Sequence, residues 1–193
     1  RTLRSIEELG LQSAVPLVIG FLEHPRSEVV GRACRILGKW KVVYAIPALT
    51  RVVGHGQNVG AASVALAQIG RDEVADTLNW AAMNPELDPV ERKRVFRSLS
   101  LLKSPSSVVP LAQVLRTPRL ELLLLTIETL GHLGDPAAVQ YLRPLLEHSE
   151  DKVRALTIWA MEESSGKKFG DRLELWDGWI AEYARPLEPK TTR

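Results

Sequence analysis

His24, His55 and His148 each stand eight residues after a marker position, held by Pro16, Pro47 and Gln140. Imidazole nitrogens are common ligands for zinc, which needs three or four donors at roughly 2.0–2.1 Å, so three histidines under one spacing rule raise the question of a metal centre. The same spacing leads from Asp76 to Asn84 and from Pro110 to Pro118. A position that reads His, His, Asn, Pro, His along the chain is a recurring corner, not a set of ligands drawn to one ion. Packed helices lie roughly 8–10 Å apart, which lets the corners of His24 and His55 approach but leaves His148 four corners away from His24. That pair has no third ligand. Glu23 and Glu147 directly precede their histidines, without the two-on-one-face helical spacing of metallohydrolases. The expectation is of histidines that end a helix, bonding its free carbonyls and meeting the negative end of its dipole. No metal and no cofactor is expected.

Other catalytic signals are scarcer. Cys34, the one cysteine, lies among apolar residues and is expected to fill core; a single thiol excludes an internal disulfide framework. The run Ser165-Gly166-Lys167-Lys168 lacks the glycine-rich spacing of a phosphate loop, and neither a G-x-S-x-G elbow nor a dinucleotide fingerprint occurs. Glu162 and Glu163 are neighbours on a helical stretch and so face different ways, as on a solvated surface. No catalytic residue is expected, and the chain is read as a protein without enzymatic activity. Its 193 residues, 45% of them hydrophobic, suffice for a core. Twenty-five basic and 23 acidic residues leave a formal charge of +2, no general pull toward nucleic acid or an anionic membrane. No apolar stretch reaches the roughly 18 residues a membrane-spanning helix needs, and the first residues are not a secretion signal. No compartment is read.

The elements that carry these residues repeat. One column runs Leu37, Leu66, Leu99, Leu130, Met161, with spacings of 29, 33, 31 and 31; a second runs Ala33, Ala62, Val95, Thr126, Thr157. Within a unit, apolar residues recur at helical spacing, first Val15, Val18, Ile19, Leu22, then Val29, Ala33, Ile36, Leu37, Trp40. Each unit is therefore a pair of amphipathic helices. Pro16, Pro47 and Pro110 fall near the start of the first helix, where a missing N–H costs little. Gly38, Gly70, Gly131 and Gly134 fall near the end of the second, where a left-handed cap suits glycine. One such pair cannot bury its own apolar stripe, whereas stacked pairs bury each other's.

The stretches "AVPLVIGFLEHPRSEVVGRACRILG" and "PLLEHSEDKVRAL" resemble HEAT repeats, in particular the short bacterial kind related to phycobilin-lyase repeats. The last copy keeps the family's Asp…Val-Arg pairing in Asp151 and Arg154, while the second has Val59-Gly60 and the fourth Leu122-Leu123. The resemblance implies an all-α fold, a right-handed α-solenoid (α-α superhelix) of about five HEAT-like helix pairs plus a capping helix. The pairs are expected at about 13–41, 44–70, 73–102, 107–134 and 137–165. Residues 1–10 are read as the truncated helix of a preceding repeat, so that the natural protein extends upstream. Residues 166–193 are read as a cap helix and tail: Asp171 and Glu174 fit a capping box, Leu175, Trp176, Trp179 and Ile180 form one stripe, and Pro186 stops the helix. This closing segment resembles the "G..FG…W..W" ending of many bacterial HEAT proteins.

The resemblance further implies a protein-binding scaffold whose second helices line a concave groove, with a protein or peptide as partner. By helical phase the open positions are Gly31, Gly60, Lys93, Leu124, Ala155 and Arg35, Val64, Arg97, Glu128, Trp159. Leu124 and Trp159 are expected to form an apolar floor, with Arg35, Lys93, Arg94 and Arg97 beside it and Glu128 in the same row. Two alternatives differ in class. A nucleic-acid binder would use the basic stretch at 91–97, but no basic stripe runs through the second and fourth copies. A phycobilin-lyase-like enzyme is suggested by repeat type alone, with no residue marking a chromophore pocket.

Overall fold

The computed structural model describes residues 2–183, and among them every regular element is helical. Pro186 and the tail expected at 184–193 lie outside the described residues. The α-helices are α1 (Thr2–Leu9), α2 (Val15–Gly20), α3 (Ser27–Lys39), α4 (Ile46–Gly54), α5 (Val59–Ile69) and α6 (Ala75–Met83). They continue as α7 (Pro89–Leu102), α8 (Val108–Val114), α9 (Leu120–Leu133), α10 (Val139–Leu142), α11 (Asp151–Ser165) and α12 (Leu173–Tyr183). A short 3-10 turn precedes each of α2, α4, α6, α8 and α10. This is the all-α helical repeat fold expected from the columns.

The first helices are the weaker members of the pairs. Pro16 and Pro47 sit in the first turns of α2 and α4, where no intrahelical N–H is lost. Pro144 has no such place. It falls after only four residues of α10, and the chain continues as a 3-10 stretch over Arg143–Glu147, because proline supplies no donor for the α-helical ladder.

The fold divides into two compact units, one ending at Leu102 and one starting at Lys103. In the first, α5 is the centre, packed against α3, α4 and α7. Its residues are small, and Val59, Gly60, Ala62, Ser63, Ala65, Leu66, Ala67 and Ile69 are all buried. Small side chains let two neighbours approach on opposite sides. A Cβ on Gly38 would stand 2.7 Å from the Ala65 Cα, and one on Gly60 would stand 2.7 Å from the Arg94 Cβ. Cys34 is fully buried in α3, and burial pushes its thiol up to about 12, consistent with core filling.

The second unit stacks α9 against α11, with α8 and α10 behind them. Thr126 and Thr129 point into this core and donate their hydroxyls to the Leu122 and Leu125 carbonyls one turn back, at 2.7 and 2.8 Å. That back-bonding is how a helix buries a hydroxyl at low cost. Trp176 of α12 is fully buried. Its indole N–H donates to the Gly170 carbonyl at 2.9 Å, and Phe169 meets it edge-on with ring centroids 4.9 Å apart.

Several expectations need correction. Only Gly70 and Gly134 of the four glycines take the left-handed cap, at φ 74° and 66°. Gly38 and Gly131 are contact residues instead; a Cβ on Gly131 would meet the Trp159 ring at 2.6 Å and the Ala160 Cα at 2.9 Å. The left-handed corner in the first and third pairs falls to Lys41 and Lys103, at φ 51° and 52°. The capping box of Asp171 and Glu174 does not form, since α12 begins only at Leu173. Of the stripe on α12, Trp176 and Trp179 are buried while Leu175 is exposed. Gly60, expected on the open face, is buried beneath Arg94.

Candidate partner-binding site

The histidine corner works through nitrogen acceptance, not carbonyl capture. The Arg26 N–H donates to His24 Nδ1 at 3.1 Å, and the Glu150 N–H donates to His148 Nδ1 at 3.1 Å. Asn84 Oδ1 accepts from the Glu86 N–H at 3.0 Å, and Thr117 Oγ1 from the Arg119 N–H at 3.3 Å. Four corners thus share one device, a side-chain acceptor that turns the chain into the second helix. Thr117, one residue before Pro118, fills the role in the fourth copy. His55 differs: it caps α4 and is exposed, and the turn is completed by Asn58 at φ 56°. Among the described residues no group of three or more His, Cys, Asp and Glu side chains could hold a metal ion.

Arginine ties the corners down. In the last copy Arg154 pairs with Asp151 and donates to the His148 and Ser149 carbonyls at 2.6 and 2.9 Å. Arg92, in the same repeat position, donates to the Asn84, Pro85 and Leu87 carbonyls at 3.2, 3.0 and 2.9 Å. The sequence reading credited this role to Asp151 and Arg154 alone, because it looked for the acidic partner, which Arg92 does without.

In the first unit, α3, α5 and α7 together form a face with a cavity of about 850 Å³. Arg32 and Arg35 lie one turn apart on α3, and Arg94 and Arg97 one turn apart on α7, all four lining it. Between them α5 contributes Asn58, Ala61, Val64 and Gln68, a single helical face without charge. Arg94 is anchored, donating to Glu91 Oε1 at 2.8 Å, while Glu91 Oε2 accepts the Gly60 N–H. Arg32, Arg35 and Arg97 form no ion pair among the described residues. Asn58 Oδ1 accepts from the Ser27 hydroxyl at 3.1 Å, which fixes the amide and leaves its buried Nδ2 without a partner; Gln68 Oε1 is likewise buried and unbonded.

Of the residues expected on the groove, Arg35, Arg94 and Arg97 are brought together here. Lys93 is exposed but does not line the cavity. Leu124, Glu128 and Trp159 belong to the second unit. There Leu124 is half-buried, and Glu128 is exposed 3.9 Å from His132 Nε2. Trp159 is half-buried too, its ring over Gly131 and edge-on to His132 at a centroid distance of 5.1 Å. Arg32, Asn58 and Gln68 were missed by the sequence reading. Arg32 could have been found from its place one turn before Arg35.

The second unit closes with a clasp. Arg143 donates to both Asp177 carboxylate oxygens, at 2.7 and 2.8 Å, and also pairs with Glu147. Hydrogen bonding from Arg143 holds the Asp177 carboxyl below its usual range.

Stacked helix pairs with a corner device that recurs in four of them define an α-helical repeat protein. Residues 80–162 match HEAT repeats. The protein is similar to a chain of the CpcE–CpcF complex of phycocyanin lyase from Nostoc sp. PCC7120, at 20% identity and a TM-score of 0.60, over 86% of this chain and 68% of that one. It is also similar to an engineered protein, at 18% identity and a TM-score of 0.54, over 85% and 84% of the two chains. No curated protein matches the sequence. The likeness to a lyase chain corrects the expectation of a protein without enzymatic activity: a helical repeat of this kind occurs in an enzyme, so the fold is no ground for excluding catalysis. No helix among the described residues is long and apolar enough to cross a membrane.

Proposed function

We propose that the chain is a protein-interaction scaffold that takes its partner on the face formed by α3, α5 and α7. HEAT repeats generally mediate protein interaction, and protein is the partner class the repeats imply. The observation that carries this reading is the cavity of about 850 Å³ lined by second helices, with arginines on both sides and small uncharged residues between. Guanidinium groups and a desolvated apolar centre are the features of interaction hot spots. In this reading Arg35, Arg94 and Arg97 contact the partner directly, while Lys93 acts at the rim. Leu124, Glu128 and Trp159 provide a second contact region of their own. The five helix pairs at about 13–41, 44–70, 73–102, 107–134 and 137–165 are the units of the scaffold.

Site-specific crosslinking tests the reading. A photo-reactive residue at Val64, in the cavity, should trap a protein in source-cell extract, and the same residue at exposed Trp80, outside it, should not. Equal trapping at both positions, or trapping at Trp80 alone, would sink it.

A further inference from the structure

We infer that the occupant of the α3–α5–α7 face is an extended acidic segment of a protein, with carboxylates at two points and an uncharged stretch between; this rests on the interaction reading above. The charge of the cavity is one-sided. Four guanidinium groups line it, of which Arg94 is paired with Glu91, against a single lining carboxylate, Glu28, although the whole chain carries only +2. Arg32, Arg35 and Arg97 have no ion-pair partner among the described residues, and such forks match carboxylates in two-pronged geometry. A basic cavity in a nearly neutral protein points to a small acidic element, because a long polyanion is held by a basic stripe.

The arrangement also sets the spacing. Two arginines are on α3 and two on α7, with α5 between them. Adjacent packed helices are roughly 8–10 Å apart, so the axes of α3 and α7 are separated by about 16–20 Å, with Arg94 reaching back over Gly60 of α5. One carboxylate or phosphate cannot bridge them. An extended chain rises about 3.3 Å per residue, so acidic residues about four to six apart would reach both pairs once the reach of the arginine side chains is allowed for.

The middle helix supplies what such a segment needs between its charges. Val64 and Ala61 offer an apolar seat. Asn58 and Gln68 flank that seat as uncharged polar residues, so no fixed charge on α5 opposes an uncharged stretch of backbone. Stacking would be required for a single-stranded nucleic acid, and the lining includes no aromatic residue.

The test uses the full chain and fluorescein-labelled twelve-residue peptides read by anisotropy. The probe peptide carries two Glu pairs separated by five uncharged residues with Val at the centre. One control replaces Glu by Gln, and another places all four Glu together. The expected result is binding of the spaced peptide at least tenfold tighter than either control, weakened by salt. It should weaken about tenfold with Arg35→Ala and about tenfold with Arg97→Ala, with helical circular dichroism unchanged in each variant. Binding of the Gln control as tight as that of the spaced peptide overturns the inference, as does tighter binding of an oligothymidine of similar charge. If neither peptide binds while the Val64 crosslink still traps a protein, the acidic-segment inference falls and the interaction reading stands. If peptide binding and the crosslink both fail, both are overturned.

Discussion

Arg35 and Arg97 in the first unit and Trp159 in the second occupy the same place in the repeat, and they use it differently. In the first unit that place carries long charged side chains around an open cavity, and α5 beneath it is built from residues small enough for α3 and α7 to close in on either side. In the second unit the half-buried Trp159 lies over Gly131 and against His132, so its ring covers part of the corresponding surface while Glu128 stays exposed. One backbone plan thus yields an accessible face or a packed one according to which side chain stands at a single position. The small residues permit the close helix approach in both units; what lies above them decides the use.

The contrast can be broken most severely at the closed end of the second unit. Trp176→Ala removes a fully buried indole and its bond to the Gly170 carbonyl, and should cost about 3–5 kcal/mol, seen as a lowered urea midpoint for unfolding. Close helix approach comes next. Gly38→Ala and Gly131→Ala each place a methyl group under 3.0 Å from backbone atoms of the neighbouring helix, and should each cost about 1–3 kcal/mol. Equal losses at the two glycines would show that the units share one packing rule; a loss at Gly131 alone would confine it to the second.

The shared repeat position gives a sharper and smaller test. Trp159→Ala should destabilise by about 1–3 kcal/mol, since the ring is part of the packing, whereas Arg97→Ala should stay within about 0.5 kcal/mol. Comparable losses in both would erase the distinction between the filled and the open face. The smallest effect is electrostatic. Because Arg143 lowers the Asp177 pKa, the clasp contributes fully above the ordinary aspartate value of about 3.9, and its contribution disappears as pH falls through the lower folded value. The indole N–H resonance of Trp176, one residue away, should move with that titration, and Asp177→Asn should abolish the movement.

The period and the pairing of helices were legible because each rests on local physics: apolar spacing, proline at helix starts, and a glycine cap at Gly70 and Gly134. The misreadings share a different origin. Gly38 and Gly131 look like caps in sequence, yet their smallness answers to residues 27 to 29 positions away on the next second helix, a contact that no local pattern encodes. Lys41 and Lys103 adopt a backbone region that lysine seldom prefers, imposed by the corner they must turn. His24 and His148 were placed at the right corner with the wrong bonding, since a ring that ends one helix can as well receive the first N–H groups of the next. For the cavity, helical phase pointed to Arg35 and Arg97 and the basic run at 91–97 to Arg94, all three of which line it; Asn58 and Gln68 are ordinary polar residues that no periodic or charged pattern singles out.

Cys34 carries a practical consequence. A thiol held fully inside α3 with its ionisation suppressed is invisible to alkylating reagents until the helices around it separate. As the chain has one cysteine, the labelling rate of the native protein is a direct clock for opening of the first unit. It needs no engineered probe, and the occupancy of the neighbouring face could be followed by how far a ligand slows that clock.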